Sequence, residues 1–141
     1  MTPVIRDFVP ADAPAVLELW RETGLSSPHR ADTPETIART LAAGGRLLVL
    51  EADGVLVGTS WLTVDGRRAS LHHLGIRPSH QRRGLGRQLL EASLAAARAI
   101  GLQVKLEVHR DNAAAIALYR LAGFIRLGDY DVYIMRDLPP G

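Results

Sequence analysis

The sequence predicts an α+β fold built on a mixed, mostly antiparallel sheet, with helices on both faces and the element order β-α-α-β-β-β-α-β-α-β-β. Three observations carry this reading. Two Asp-Gly pairs, Asp53-Gly54 and Asp65-Gly66, separate runs of strand character, and Asp-Gly between apolar runs is the strongest short hairpin signal. Downstream, Leu85, Leu89, Leu90, Leu94, Ala96, Ala97 and Ile100 recur at helical spacing until Gly101, which marks one long helix. A further strand-like run, 104–108, lies beyond that helix, and a helix between two strands is the usual condition for parallel pairing.

The elements follow in order. Residues 4–8 form a first strand, and Pro10-Ala-Asp12 opens a helix whose apolar positions Val16, Leu17 and Trp20 end at Gly24. After a loop rich in turn formers, Thr33-Pro34-Glu35 gives a cap followed by proline at the first helical position, starting a helix that stops near Gly44-Gly45. Strands 47–52, 55–64 and 69–76 make an antiparallel meander. Beyond strand 104–108, a helix over 112–122 is capped by Asp111 or Asn112 and stopped by Gly123. Residues 124–127 and 132–135 close the chain as two strands.

At 141 residues the chain is one domain of common size, residues 1–141, with enough length for a core that needs no disulfide or metal. It has no cysteine, so it offers neither a disulfide framework nor a thiol nucleophile. No apolar run has the length of a signal peptide or a bilayer span, so a cytoplasmic location without a membrane partner is expected. A formal charge of +2 is too small to imply a nucleic-acid partner. No spacing of histidines gathers metal ligands, so no metal is expected. Lys105 is the sole lysine among 17 basic residues, read as a bias towards arginine.

The segment 81–87, Gln-Arg-Arg-Gly-Leu-Gly-Arg, is the most informative stretch. It connects strand 69–76 to the long helix, so its amides form the first helical turn, where N–H groups lack partners and about half a positive charge gathers. Arg82, Arg83 and Arg87 add repulsion there, and a phosphate would reverse its sign. Gly84 and Gly86 lack a Cβ and let backbone amides approach an anion closely. An ordinary helix start in an arginine-rich chain is the bland alternative.

Leu74-Gly-Ile-Arg-Pro-Ser-His-Gln-Arg-Arg-Gly-Leu-Gly-Arg87, then a helix, then Leu106-Glu-Val-His-Arg-Asp-Asn-Ala-Ala-Ala-Ile-Ala-Leu-Tyr-Arg-Leu-Ala-Gly-Phe124, resembles the two signature segments of the GNAT acetyltransferases. The likeness is close from about 69 to 125, and the element order agrees over the whole chain. The second segment looks most like the ribosomal-protein N-terminal acetyltransferases. The first half is more similar to small bacterial members of unassigned substrate. The resemblance implies acetyl-CoA as donor, with its pyrophosphate on the amides of Arg82, Arg83, Gly84, Leu85, Gly86 and Arg87. Its pantetheine arm would lie along Leu74, Gly75 and Ile76, where the family's central parallel strands splay, and Asn112 would contact the cofactor. Homodimerisation is common in the family and leaves no readable mark here.

Direct transfer to an amine needs a neutral nucleophile and a proton for the departing thiolate. The resemblance implies that Tyr119 protonates the sulfur and that Glu107 is the base, acting directly or through water. Tyr119 stands seven residues after Asn112, two helical turns or roughly 10 Å along one face. A phenol near pKa 10 can donate to a thiolate whose parent thiol lies near 8.5, slightly uphill. Glu107 in a strand points away from the face of Leu106 and Val108, and it could equally be an exposed residue paired with Lys105 or His109. His72 and His73, adjacent in a strand, should face opposite sides. His29 lies in a loop that borders the acceptor pocket in this family. Asp129, Tyr130 and Asp131 could touch a cationic acceptor or simply make a turn. Rival readings are a non-catalytic acyl-CoA binding or sensing module on the same fold, a nucleic-acid binder using the arginines, and a dinucleotide-binding fold. The last lacks the third glycine of its fingerprint.

Overall fold

The two Asp-Gly pairs make the turns predicted for them. In a computed structural model describing residues 2–26 and 31–141, Asp53 and Gly54 both have positive φ, 55° and 78°. That is the mirror-image turn whose twist matches its flanking strands. It joins β2 (Arg46–Ala52) to β3 (Val55–Val64). At the second turn, Asp65 accepts hydrogen bonds through Oδ1 from the backbone N–H groups of Arg67 (2.7 Å) and Arg68 (2.9 Å), and β4 (Arg68–Ile76) follows. β1 (Val4–Asp7) pairs antiparallel with β2, and β5 (Gln103–Leu106) pairs parallel with β4. The sheet order is β1-β2-β3-β4-β5.

Strand alternation then assigns the helices to faces. Leu47 and Val49 of β2 and Trp61 of β3 join Val16, Leu19 and Trp20 of α1 (Ala13–Glu22) and Ile37 of α2 (Pro34–Ala42). Leu48 and Leu50, one residue out of phase, join Val57, Ile76 and the residues Leu85 and Leu89 of α3 (Leu85–Ile100). The side chain of Thr33 caps α2 by accepting from the Thr36 N–H. The buried hydroxyls of Ser60 and Ser93 are 2.5 Å apart, and Ser93 also donates to the Leu89 carbonyl, which satisfies both polar groups where α3 crosses β3.

Gly58 makes this close packing possible. A Cβ there would meet Ile76 Cδ1 at 2.5 Å and Leu89 Cδ1 at 3.0 Å. Gly58→Ala should therefore lower stability by about 1–3 kcal/mol through overpacking, measured by urea unfolding.

The chain divides into two units, Met1–Glu107 and Val108–Gly141. The second holds α4 (Ala113–Leu121), whose N-terminus is capped by Asn112 accepting from the Ala115 N–H. Three expectations need correction. Residues 124–127 and 132–135 are not strands. Their apolar alternation is left uncovered, with Ile125 82 %, Val132 71 % and Ile134 71 % exposed, and a short hairpin without a buried face does not offset its ordering entropy. As a result the parallel pair β4·β5 lies at the sheet edge, not at its centre. Strand 104–108 ends at Leu106, so Glu107 follows the ladder and does not belong to it. Among the described residues, no helix is long and apolar enough to cross a membrane.

Candidate active site

The strand-to-helix connection is built as an anion site requires. α3 begins at Leu85 with Gly84 as its cap, at φ 77° and with no side-chain hydrogen bond to the first turn. The amides of that turn are thus left to a ligand or water. A Cβ on Gly84 would meet nothing within 4 Å, so the approach is open. Arg82, with φ 64°, Arg83 and Arg87 are all exposed. Arg83 Nη2 donates to the Ser79 carbonyl at 3.3 Å, and Arg87 Nε to Glu91 at 3.1 Å. The latter is an exposed pair worth a few tenths of a kcal/mol, little resistance to a phosphate. Gln81 Nε2 donates to the Ile76 carbonyl at 2.9 Å, which ties the turn to the end of β4.

β4 is the second part. Its parallel ladder with β5 runs from Arg68↔Gln103 to Leu71↔Leu106 and stops. From Leu74 to Ile76 that edge has no strand partner among the described residues, which leaves main-chain donors and acceptors for an extended ligand arm beside Leu74, Gly75 and Ile76. On the other edge, Thr59 pairs with Gly75 but Trp61 with His72, so Ser60 alone opposes both His73 and Leu74. This β-bulge has His73 at φ 49°, a left-handed conformation that costs a non-glycine residue about 1–2 kcal/mol.

The bulge changes where the histidines point. They share one face: both rings approach Trp61, His72 at 6.1 Å and His73 at 5.6 Å between centroids. Strict alternation fails because the extra residue turns His73 over. His73 lies edge-on to Trp20 at 4.7 Å, and Trp20 stacks on Trp61 at 5.2 Å. Its Nε2 is 2.8 Å from Asp32 Oδ2, both side chains being nearly buried. Thr59 Oγ1 accepts from Trp20 Nε1 (2.9 Å) and donates to the His73 carbonyl (2.8 Å). Sequence reasoning missed this cluster, because 41 residues separate Asp32 from His73 and no local pattern announces the bulge. His29 lies outside the described residues.

In the second unit, Tyr119 is half-buried in the last turn of α4, its ring edge-on to Phe124 at 5.7 Å. Burial raises the phenol above its ordinary value, so it holds its proton throughout the neutral range. Below the unfolded value of about 10 both states are protonated and stability is fully retained; above it the unfolded chain ionises first and stability falls towards the raised folded value. Tyr119→Phe should therefore flatten the loss of thermal stability above about pH 10, read as melting temperature against pH. Asn112 spends its Oδ1 on the α4 cap at 3.2 Å, leaving its amide NH2 for a ligand. Glu107 is exposed beyond the end of β5. Asp129, Tyr130 and Asp131 are exposed as well.

The model of the acetyltransferase (GNAT) family matches residues 13–124. The chain belongs to that family. Among GNAT relatives, it is 46 % identical over 79 residues to the N-alpha-acetyltransferase RimI of Mycobacterium tuberculosis, covering 53 % of this chain and 49 % of the relative. It is 33 % identical over 142 residues to the L-methionine sulfoximine/L-methionine sulfone acetyltransferase of Pseudomonas aeruginosa, covering 88 % and 81 %. The match to the mycothiol acetyltransferase of Clavibacter michiganensis is 49 % identical but spans 26 % of that protein's length, so several GNAT relatives are matched over half their length or less. The structure resembles yncA of Salmonella typhimurium, solved with its cofactor acetyl-CoA, at TM-score 0.75 and 26 % identity over 88 % of this chain and 80 % of that one.

Proposed function

We propose that the chain is an N-acetyltransferase, moving the acetyl group of acetyl-CoA directly to a primary amine. The observation that carries this is the continuity of two features: an edge of β4 that has no strand partner among the described residues from Leu74 to Ile76, followed by a helix whose first turn no side chain caps. One suits an amide-rich arm and the other a pyrophosphate, the two ends of one donor. Bound there, acetyl-CoA supplies an electrophilic thioester carbonyl and a thiolate leaving group.

The residues divide the remaining work. The backbone of Leu74, Gly75 and Ile76 holds the arm, and an N–H beside the bulge receives the thioester oxygen as charge develops on it. Amides from Arg82 to Arg87 hold the pyrophosphate, with the guanidinium groups adding long-range attraction, and Asn112 contributes its amide NH2. Glu107, directly or through water, takes the proton that frees the amine lone pair. The amine nitrogen bonds to the carbonyl carbon, the C–S bond breaks, the thiolate leaves with the proton of Tyr119, and the nitrogen gives up its second proton through water to the Tyr119 phenolate, which leaves a neutral amide and a restored phenol.

The relatives' names, an N-alpha-acetyltransferase and an L-methionine sulfoximine/L-methionine sulfone acetyltransferase, bear on the acceptor. Both support a primary amine on an amino-acid framework, free or at the end of a peptide. In this reading the protein acts in the cytoplasm on two small or peptidic substrates, without nucleic acid or membrane; homodimerisation is common in the family. The test is a thiol-release assay of purified protein with acetyl-CoA across amino-acid, amino-acid-sulfone, polyamine and N-terminal peptide acceptors. Amine-dependent CoA release with an acetylated product is expected. Binding of acetyl-CoA without turnover of any amine would leave a sensing module, and absence of binding would remove the donor assignment.

A further inference from the structure

We propose that His73 and Asp32 form a positioning pair for acetyl transfer: Asp32 clamps the ring of His73 and thereby holds the β4 bulge whose backbone faces the reacting thioester. The inference rests on the reading that β4 receives the donor's arm. Among the described residues, His73 is one of three non-glycine residues with positive φ, and it sits at the extra residue of the bulge, directly before Leu74. Nothing in strand geometry favours that conformation, so its surroundings must over-determine it. They do so from three directions. Thr59 holds the His73 carbonyl from the neighbouring strand (2.8 Å), Trp20 and Trp61 meet the ring with their own rings (4.7 and 5.6 Å), and Asp32 takes Nε2 at 2.8 Å.

Asp32 belongs to a different part of the chain, just before the cap of α2. On the other side of residues 27–30, Leu25 also reaches β4: a Cβ on Gly75 would lie 2.6 Å from Leu25 Cδ1. Two residues of the α1-to-α2 connection therefore grip β4, one at His73 and one at Gly75, on either side of Leu74. A shift of the connection would move the bulge, and misplacement of a main-chain donor by about 1 Å can cost two orders of magnitude in rate. The pair touches no reacting atom. It acts through the backbone that it fixes.

Four variants test the pair: His73→Gly, which accepts the left-handed conformation without a ring, Asp32→Ala, the double variant, and Asp32→Asn. Steady-state kinetics with acetyl-CoA and the best acceptor should show kcat falling about tenfold or more in both single variants, with KM for acetyl-CoA within about twofold. The double variant should be no worse than the poorer single one, since two residues in one contact are not additive. Asp32→Asn, which can still hydrogen-bond the ring, should recover most of kcat. The chain's two tryptophans both contact His73, so intrinsic fluorescence should shift alike in His73→Gly and Asp32→Ala, and it reads the clamp without any turnover. Wild-type kcat in Asp32→Ala, additive losses, or failure of Asp32→Asn to recover activity would each overturn the inference in an active enzyme. A wild-type chain that acetylates no amine instead overturns the transfer reading, and the inference with it.

Discussion

Replacing Tyr119 with Phe should lower kcat by about 10²- to 10⁴-fold while leaving acetyl-CoA affinity within about twofold. The substitution removes one hydroxyl and keeps the ring that meets Phe124 edge-on at 5.7 Å, so α4 retains its packing. What disappears is the only group assigned to protonate the departing thiolate. Burial holds this phenol protonated well beyond neutral pH, which suits an acid that must arrive charged with its proton and surrender it only when a thiolate forms beside it. Single-turnover kinetics should show the loss in the chemical step, and calorimetric titration with CoA should show unchanged binding. Equal turnover in the variant would assign the proton to water or another side chain.

Truncating Trp20 to Ala should cost about 3–5 kcal/mol of stability, or roughly 10 to 15 °C in melting temperature for a chain of this size. Trp20 is completely buried. Its ring stacks on Trp61, and its Nε1 is the donor that satisfies Thr59 Oγ1. Deleting it leaves a cavity between α1 and β3 and removes one of the two rings that meet His73 among the described residues. Thermal unfolding followed by circular dichroism measures the loss. A shift of only a few degrees would mean that α1 collapses into the space, with Trp61 moving to fill it.

Much of this was legible in the sequence because local signals agreed with tertiary ones. The Asp-Gly turns, the Thr33 and Asn112 caps and the period of α3 each occupy a few adjacent residues, and each formed within about two residues of its expected bounds. The arginine turn was legible for the same reason, since helix start, glycines and charges are contiguous. The failures are all non-local. A bulge in β4 opposite Ser60 depends on two strands slipping past one another, so neither the turning of His73 nor its pairing with Asp32 could be read from alternation. Residues 124–135 carry strand propensity, but propensity becomes a strand only against a partner and a buried face.

Lys105 lies exposed in β5, the edge strand of the sheet. A charged side chain on an open edge discourages another chain from adding to it, and here it is also the protein's sole lysine. For a protein proposed to acetylate amines, this makes self-modification unusually easy to follow. Side-chain acetyl-lysine can arise at one residue and no other, so a mass gain localised to the peptide containing Lys105 would report self-acetylation or chemical acetylation at a single address, against an otherwise silent background.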